Sequence, residues 1–211
     1  MITIRHSAGL FVIILMGAAL AFFVTIQRNS TSGRSLISSA AMPVILPEPT
    51  AAPAGPEVFL MDSPEGSKTL TLERQENGET SVYSLFVSGK PDGLRTQLFT
   101  KEEPRSRSLL IPFNTWSSDN TYVFLKETTP TIPDYLVFQS SGVPFASDSA
   151  SVSVQELFSK KVPNFIIEDV TGWAGPTSLI VNTKKIEGDT RVSFWFDVPS
   201  QSFIQLGTYF K

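Results

Sequence analysis

Two patterns of apolar and polar positions divide the chain. Residues 8–26, "AGLFVIILMGAALAFFVTI", are nineteen positions without a charge and without a polar face. At 1.5 Å per residue they predict a helix of roughly 28 Å, close to the hydrocarbon thickness of a bilayer. From residue 57 onward the pattern shortens to stretches such as "EVFLMD", "KTLTLERQ", "TSVYSLFV" and "RTQLFTKE". These are rich in β-branched and aromatic residues and are separated by Gly, Pro, Asn, Asp and Ser, which predicts strands joined by turns. "LTLE" and "FIQLGTYF" alternate, as strands with one buried face should. "YVFL", "YLVF" and "SLIV" are continuously apolar, which suits strands covered on both faces. No long stretch has helical period; 152–161, "VSVQELFSKK", contains either a strand, "SVQELF", or a short helix.

The turns carry a repeat. Ser63-Pro64-Glu65-Gly66-Ser67, Ser117-Ser118-Asp119-Asn120-Thr121 and Ala174-Gly175-Pro176-Thr177-Ser178 each precede an apolar strand. Their first residues are 54 and 57 positions apart, and Trp116 and Trp173 stand immediately before the second and third turns. Residues 57–211 therefore divide into three units of four strands, about 57–103, 104–160 and 161–211. A four-stranded unit repeating at about this length is the signature of propeller blades. Asp119 fits as a turn-former, accepting the backbone N–H two residues on. Gly66 or Asn120 would then take the positive-φ position. The third unit has no acid in its turn, so Asp119 reads as evidence for the fold and not as a catalyst.

"DSPEGSKTLTL" and "WSSDNTYVFL" resemble the W-S-P-D-G strand–turn–strand motif of TolB-type, WD-repeat-like β-propellers. The propeller part of prolyl oligopeptidase-like peptidases carries the same motif. The resemblance covers most of 57–211, with Glu65 for the Asp, Ser118 for the Pro and Asn120 for the Gly. It implies a fold: an all-β domain of about three four-stranded antiparallel, propeller-like blades, in which Trp116 and Trp173 fill the wedges between sheets. It implies no activity. Complete propellers have four to eight blades. Three blades would leave two apolar faces uncovered, so self-association or a protein partner is expected.

Arg5 and Arg28 bracket the run 8–26. Ala19-Leu20-Ala21 has the form of a signal-peptide cleavage site, but Phe22-Phe23-Val24 continue the apolar run past it, which favours an uncleaved signal-anchor. The tail 1–7 is short and the remainder is long and polar, so the reading is a single-pass membrane protein with its C-terminal domain extracytoplasmic. The bilayer is thus the first expected partner. Residues 27–56 are Ser-, Ala- and Pro-rich, and "MPVILPEPTAAPAGP" predicts an extended tether.

Composition narrows the chemistry. The chain has 211 residues, 18% charged, with a net charge of −3 and no long Lys/Arg cluster, which excludes an electrostatic nucleic-acid interface. It has no Cys, which excludes disulfides, thiolate metal sites and Cys nucleophiles. An exported domain without Cys suits a bacterial envelope. The single His, His6, stands in the short tail, so neither a Ser-His-Asp triad nor a His-based metal site can form in the domain. No cofactor motif is present. Acidic pairs remain. Glu168 and Asp169 are adjacent in a strand and should point to opposite faces. Asp62 and Glu65 lie close together and, with Trp195, are the candidate ligand-binding residues. No residue is assigned a catalytic or metal role. The reading is a membrane-anchored extracytoplasmic binding or scaffolding module. The alternatives are a carboxylate-dependent carbohydrate-active enzyme of the cell envelope and the ectodomain of a larger membrane complex.

Overall fold

The computed structural model describes residues 55–146 and 148–210. The tail 1–7, the expected anchor 8–26 and the linker up to residue 54 lie outside the described residues. Among the described residues no helix is long and apolar enough to cross a membrane.

The chain folds as three successive four-stranded antiparallel sheets. Sheet 1 contains β1 (Glu57–Asp62), β2 (Lys68–Asn77), β3 (Thr80–Gly89) and β4 (Arg95–Pro104). Sheet 2 contains β5 (Ser108–Leu110), β6 (Tyr122–Thr128), β7 (Asp134–Gln139) and β8 (Ser151–Ser153). Sheet 3 contains β9 (Phe165–Trp173), β10 (Ser178–Lys185), β11 (Arg191–Asp197) and β12 (Ser202–Gln205). Each sheet is a meander in strand order, so β1, β5 and β9 form one set of edges and β4, β8 and β12 the other. The mostly-β class with three four-stranded sheets is the one the spacing predicts.

Two expected strands differ. "SVQELF" divides between β8 and the helix α1 (Val154–Lys161). The Ser153 hydroxyl accepts the Glu156 N–H at 3.0 Å and caps α1. Asp134 holds the junction, receiving the Ser153 hydroxyl at 2.6 Å and the Gln155 N–H at 3.1 Å. "SFIQLGTYF" stops being strand at Gln205. The following residues return to Ser193, whose carbonyl accepts the Leu206 N–H at 2.8 Å and whose hydroxyl accepts the Phe210 N–H at 2.9 Å.

Period-two alternation explains the stacking. In β6, Val123 and Leu125 join Leu70, Leu72, Tyr83 and Leu85 of sheet 1. Phe124, between them in sequence, points the other way and joins Leu179, Val181, Phe194 and Phe196 of sheet 3. In β7, Leu136 and Phe138 face sheet 1, and Tyr135 and Val137 face sheet 3. Sheet 2 is thus buried on both faces, as its continuous apolar runs require. The third such run, "SLIV", behaves differently. Leu179 and Val181 are buried, while Ile180 lies partly exposed on the outer face. Helix α1 closes the core between sheets 2 and 3. Phe158 meets Phe194 and Phe203 edge-on, with ring centroids 5.4 and 5.0 Å away.

Sheets 1 and 2 are also joined by charge. Glu103 and Glu127 are both buried, and both pair with Lys101 and with Arg107. Two anions and two cations balance, which is the condition for burying them.

The two outer faces differ from each other and from the expectation of two bare apolar surfaces. On sheet 1, the outer-face neighbours of β2, β3 and β4 include Thr71, Ser84, Thr100 and Gln97, while Val58 and Leu60 of β1 add an exposed apolar edge to the same face. The one aromatic ring there, Phe86, is covered by the Arg95 guanidinium at 3.5 Å, and Arg95 also pairs with Glu73. On sheet 3, Gly172, Ile180, Trp195 and Ile204 form one cross-strand row. Among the described residues no Lys or Arg is stacked on the Trp195 ring.

Candidate functional site

The repeated turns form the rim of the site. Ser63 N–H donates to Lys68 O and Ser117 N–H to Tyr122 O, both at 2.9 Å. The same two serines accept the Lys68 and Tyr122 N–H groups on their hydroxyls, at 3.0 and 2.9 Å. Gly66 and Asn120 occupy matching positions with φ of 69° and 58°. Asp119 closes its turn as expected, with Oδ1 accepting the Thr121 N–H at 3.1 Å and the Ser117 hydroxyl at 2.8 Å. Partial burial pushes its pKa up, but the hydrogen bonds from Thr121 and Ser117 outweigh this and hold it below the usual carboxylate range. In the third unit Ala174 N–H donates to Ser178 O at 2.8 Å, one residue sooner. There Asp197 of β11 receives the Thr177 hydroxyl at 3.0 Å, so an acid from the neighbouring strand takes over from the turn acid.

The tryptophans repeat with the turns. Trp116 Nε1 donates to Met61 O at 3.1 Å, and Trp173 Nε1 donates to Thr115 O at 3.1 Å. Counting from the turn serines, Met61 and Thr115 are equivalent positions. Each Trp therefore reaches back to the same point on the preceding sheet. Its ring packs in the wedge: Trp116 among the residues of sheets 1 and 2, Trp173 against Tyr122 and Phe124 at 6.0 and 6.2 Å. The equivalent residue of unit 1 is Asp62, which has no preceding sheet among the described residues.

Where these ends converge there is a cleft of about 710 Å³, lined by Met61, Asp62, Trp116, Gly172, Trp173 and Ile180, with Phe113, Asn114 and Phe210 at its sides. The volume is that of a small-ligand site. Phe113 is 86% exposed, an unusual state for a large apolar ring. Gly172 is required here. Its φ is 137°, and a Cβ would lie 2.8 Å from Asn114 Cβ. This close approach lets Asn114 Nδ2 donate to Thr171 O at 3.1 Å, tying the β5–β6 connection to β9.

A second pocket of about 450 Å³ shares Phe113, Asn114 and Thr171 with the cleft and adds Lys126, Tyr135 and Asp169. Asp169 Oδ1 receives the Tyr135 hydroxyl at 2.8 Å and Lys126 Nζ at 3.2 Å. Burial first, and then the Asp169 carboxylate, push the Tyr135 pKa above the usual phenol range, so the hydroxyl stays a donor. Strand β9 departs from regular pairing twice, opposite Ile180/Val181 and opposite Asn182/Thr183. These bulges leave Ile167 and Val170, three residues apart, on the core side, and Asp169 on the pocket side. Glu168 turns to the other face and meets Arg191 and Tyr209.

Of the residues singled out from sequence, Asp62 lines the main cleft. Hydrogen bonds from Thr69 at 2.6 Å and Lys90 at 3.2 Å lower its pKa. Glu65 lies on the exposed first turn, 3.5 Å from the Ser67 hydroxyl, outside the cleft lining. Trp195 is 38% exposed on the outer face of sheet 3, one strand beyond Ile180 of the cleft wall, and is not packed between sheets. The three are not brought together. Phe113, Asn114, Lys126 and Tyr135 carried no sequence signal of their own. Each belongs to an ordinary loop or strand pattern until the sheets stack.

Carboxylates do not pair freely in any described pocket. Asp62 is the single Asp or Glu of the main cleft and Asp169 that of the second pocket. A third depression contains Glu127, Asp134 and Glu156. Glu127 is held there by Lys101 and Arg107, Asp134 by the start of α1, and Glu156 by Lys160. Among the described residues no three His, Cys, Asp or Glu side chains converge on one point. The chain matches no family model, no curated protein and no solved structure.

Proposed function

We propose that this chain is a membrane-anchored, extracytoplasmic binding module whose three sheets are propeller-like blades. The ligand sits against the edge formed by β1, β5 and β9. The single observation that carries the binding role is the cleft of about 710 Å³ with Trp116, Trp173 and the bare ring of Phe113 on its walls. The matching turns and the repeated Trp-to-carbonyl bonds support the blade reading. The nineteen-residue apolar run supports the anchor. Self-association through the end sheets is supported by the apolar outer row of sheet 3 and by exposed Val58 and Leu60 on the outer face of sheet 1.

The test places a photo-reactive amino acid at Phe113 or at Leu94, both exposed, in the full chain expressed in cells. A ligand of the cleft is captured from position 113 and not from 94. Equal capture at both, or at neither, counts against the reading. Alkaline carbonate extraction of the same cells leaves the chain in the membrane fraction; recovery as a soluble protein removes the anchor.

A further inference from the structure

The second pocket combines features that few ligands satisfy together. One wall is the exposed ring of Phe113. The other presents one cation and one anion, Lys126 and Asp169, 3.2 Å apart. Asp169 Oδ1 is shared by Lys126 and Tyr135, while Oδ2 has no partner among the described residues. Lys126 has three donors and one hydrogen bond, and Asn114 directs its amide nitrogen to Thr171, leaving its oxygen as an acceptor. The pocket therefore offers two free acceptors and two free donors beside an apolar ring, with no net charge.

This set disfavours ligands that carry a single charge. An anion meets Asp169, and a cation meets Lys126. A purely apolar group would cover Asp169 Oδ2 and the two remaining Lys126 donors without replacing the water they bind, which is costly. A neutral polyol suits it: adjacent hydroxyls each donate to a carboxylate oxygen and accept from an ammonium, while the C–H face of a sugar ring lies on the aromatic ring.

We propose that the pocket formed by Phe113, Asn114, Lys126, Tyr135 and Asp169 binds a neutral sugar through a pair of vicinal hydroxyls. The inference deepens the binding-module reading and rests on it. Asp169 is aimed by the bulges of β9, and Tyr135 fixes its rotamer from sheet 2. The site is therefore built from two sheets and exists only when they are stacked. Tyr135 is a positioning residue, and Phe113, Lys126 and Asp169 would touch the ligand.

The experiment uses the full chain in lipid nanodiscs, which avoids sugar-based detergents. Saturation-transfer NMR and calorimetry are run with cellobiose, maltose and N,N′-diacetylchitobiose, and with a neutral proline-rich peptide as the competing class. At least one disaccharide is expected to bind with Kd of about 1 mM or tighter. Phe113→Ala, at an exposed ring, leaves the fold intact and weakens binding about tenfold. Lys126→Gln and Asp169→Asn each weaken it about ten- to a hundredfold. No sugar signal up to about 10 mM, or Kd unchanged in Phe113→Ala, overturns the proposal. Binding of the peptide alone, lost in Phe113→Ala, overturns the sugar assignment and leaves the module reading standing. Capture from position 113 in cells tests that reading separately.

Discussion

Asn120 shows how one residue can satisfy a fold imperfectly. It holds the left-handed position that Gly66 holds in the first turn. Its carbonyl is used, accepting Lys68 Nζ at 3.1 Å and the Ser140 hydroxyl at 2.6 Å. Its side-chain Oδ1 is buried without a partner among the described residues. An unpaired buried polar atom costs about 1–3 kcal/mol, and a non-glycine residue at positive φ adds strain. The bonds that Lys68 and Ser140 donate to the Asn120 backbone carbonyl do not depend on the Asn120 side chain. Asn120→Gly is therefore expected to stabilise the domain by about 1 kcal/mol, read as a rise in the urea midpoint at constant m-value. A fall in the midpoint would mean the Asn side chain does something the geometry does not show. The Asp119 side chain, by contrast, was legible in advance: its hydrogen bonds are local, to residues two positions away, so the sequence "SSDNT" contains all of its partners.

At the scale of elements, the recurring device is a Trp that ends the first strand segment of a unit and hydrogen-bonds the sheet before it. Trp116→Phe keeps an aromatic ring in the wedge and removes the indole donor to Met61 O. A loss of about 2 kcal/mol is expected, from the missing bond and the smaller ring. Trp173→Phe removes one of the two donors to Thr115 O, which keeps the Phe124 N–H at 3.1 Å, and should cost about 1 kcal/mol. A loss under about 0.5 kcal/mol in both would show that the wedge contributes by shape alone. Most strands were predictable because β-branched and aromatic runs between turn residues specify them locally. The two exceptions have tertiary causes. The start of α1 depends on Asp134, nineteen residues before Ser153, and the end of β12 depends on the return of residues 206–210 to Ser193. Neither partner is visible within the window that sequence patterns sample.

For the molecule as a whole, the contacts that define the site run between sheets. Tyr135 lies in sheet 2 and Asp169 in sheet 3, and burial, together with the bond between them, raises the Tyr135 pKa in the folded state. The unfolded chain has the ordinary phenol pKa of about 10. A folded pKa above the unfolded one gives stability that is complete below about pH 10 and is lost as pH rises toward the folded value. Wild type should therefore lose stability above pH 10 relative to Tyr135→Phe, in denaturant titrations at matched pH. Parallel pH dependence of the two proteins would show that the hydroxyl titrates freely and that sheets 2 and 3 are not held by it.

By itself the sequence determined what is local or periodic: the alternation that makes strands, the turns that join them, the repeat that groups them in fours, and the burial of sheet 2 on both faces. It also marked Asp62, which the stacking brings into the main cleft, and Trp195, which the stacking leaves outside it on an end face. The tertiary structure decided which face of each end sheet is bare, how far β9 is kinked, and which loop meets which edge. Phe113, Asn114, Lys126, Tyr135 and Asp169 are separated by up to 56 positions, and each obeys an ordinary strand or loop pattern. Hydrophobic periodicity reports only whether a position points inward. It does not report which neighbouring sheet stands opposite, and that opposition is what creates the site.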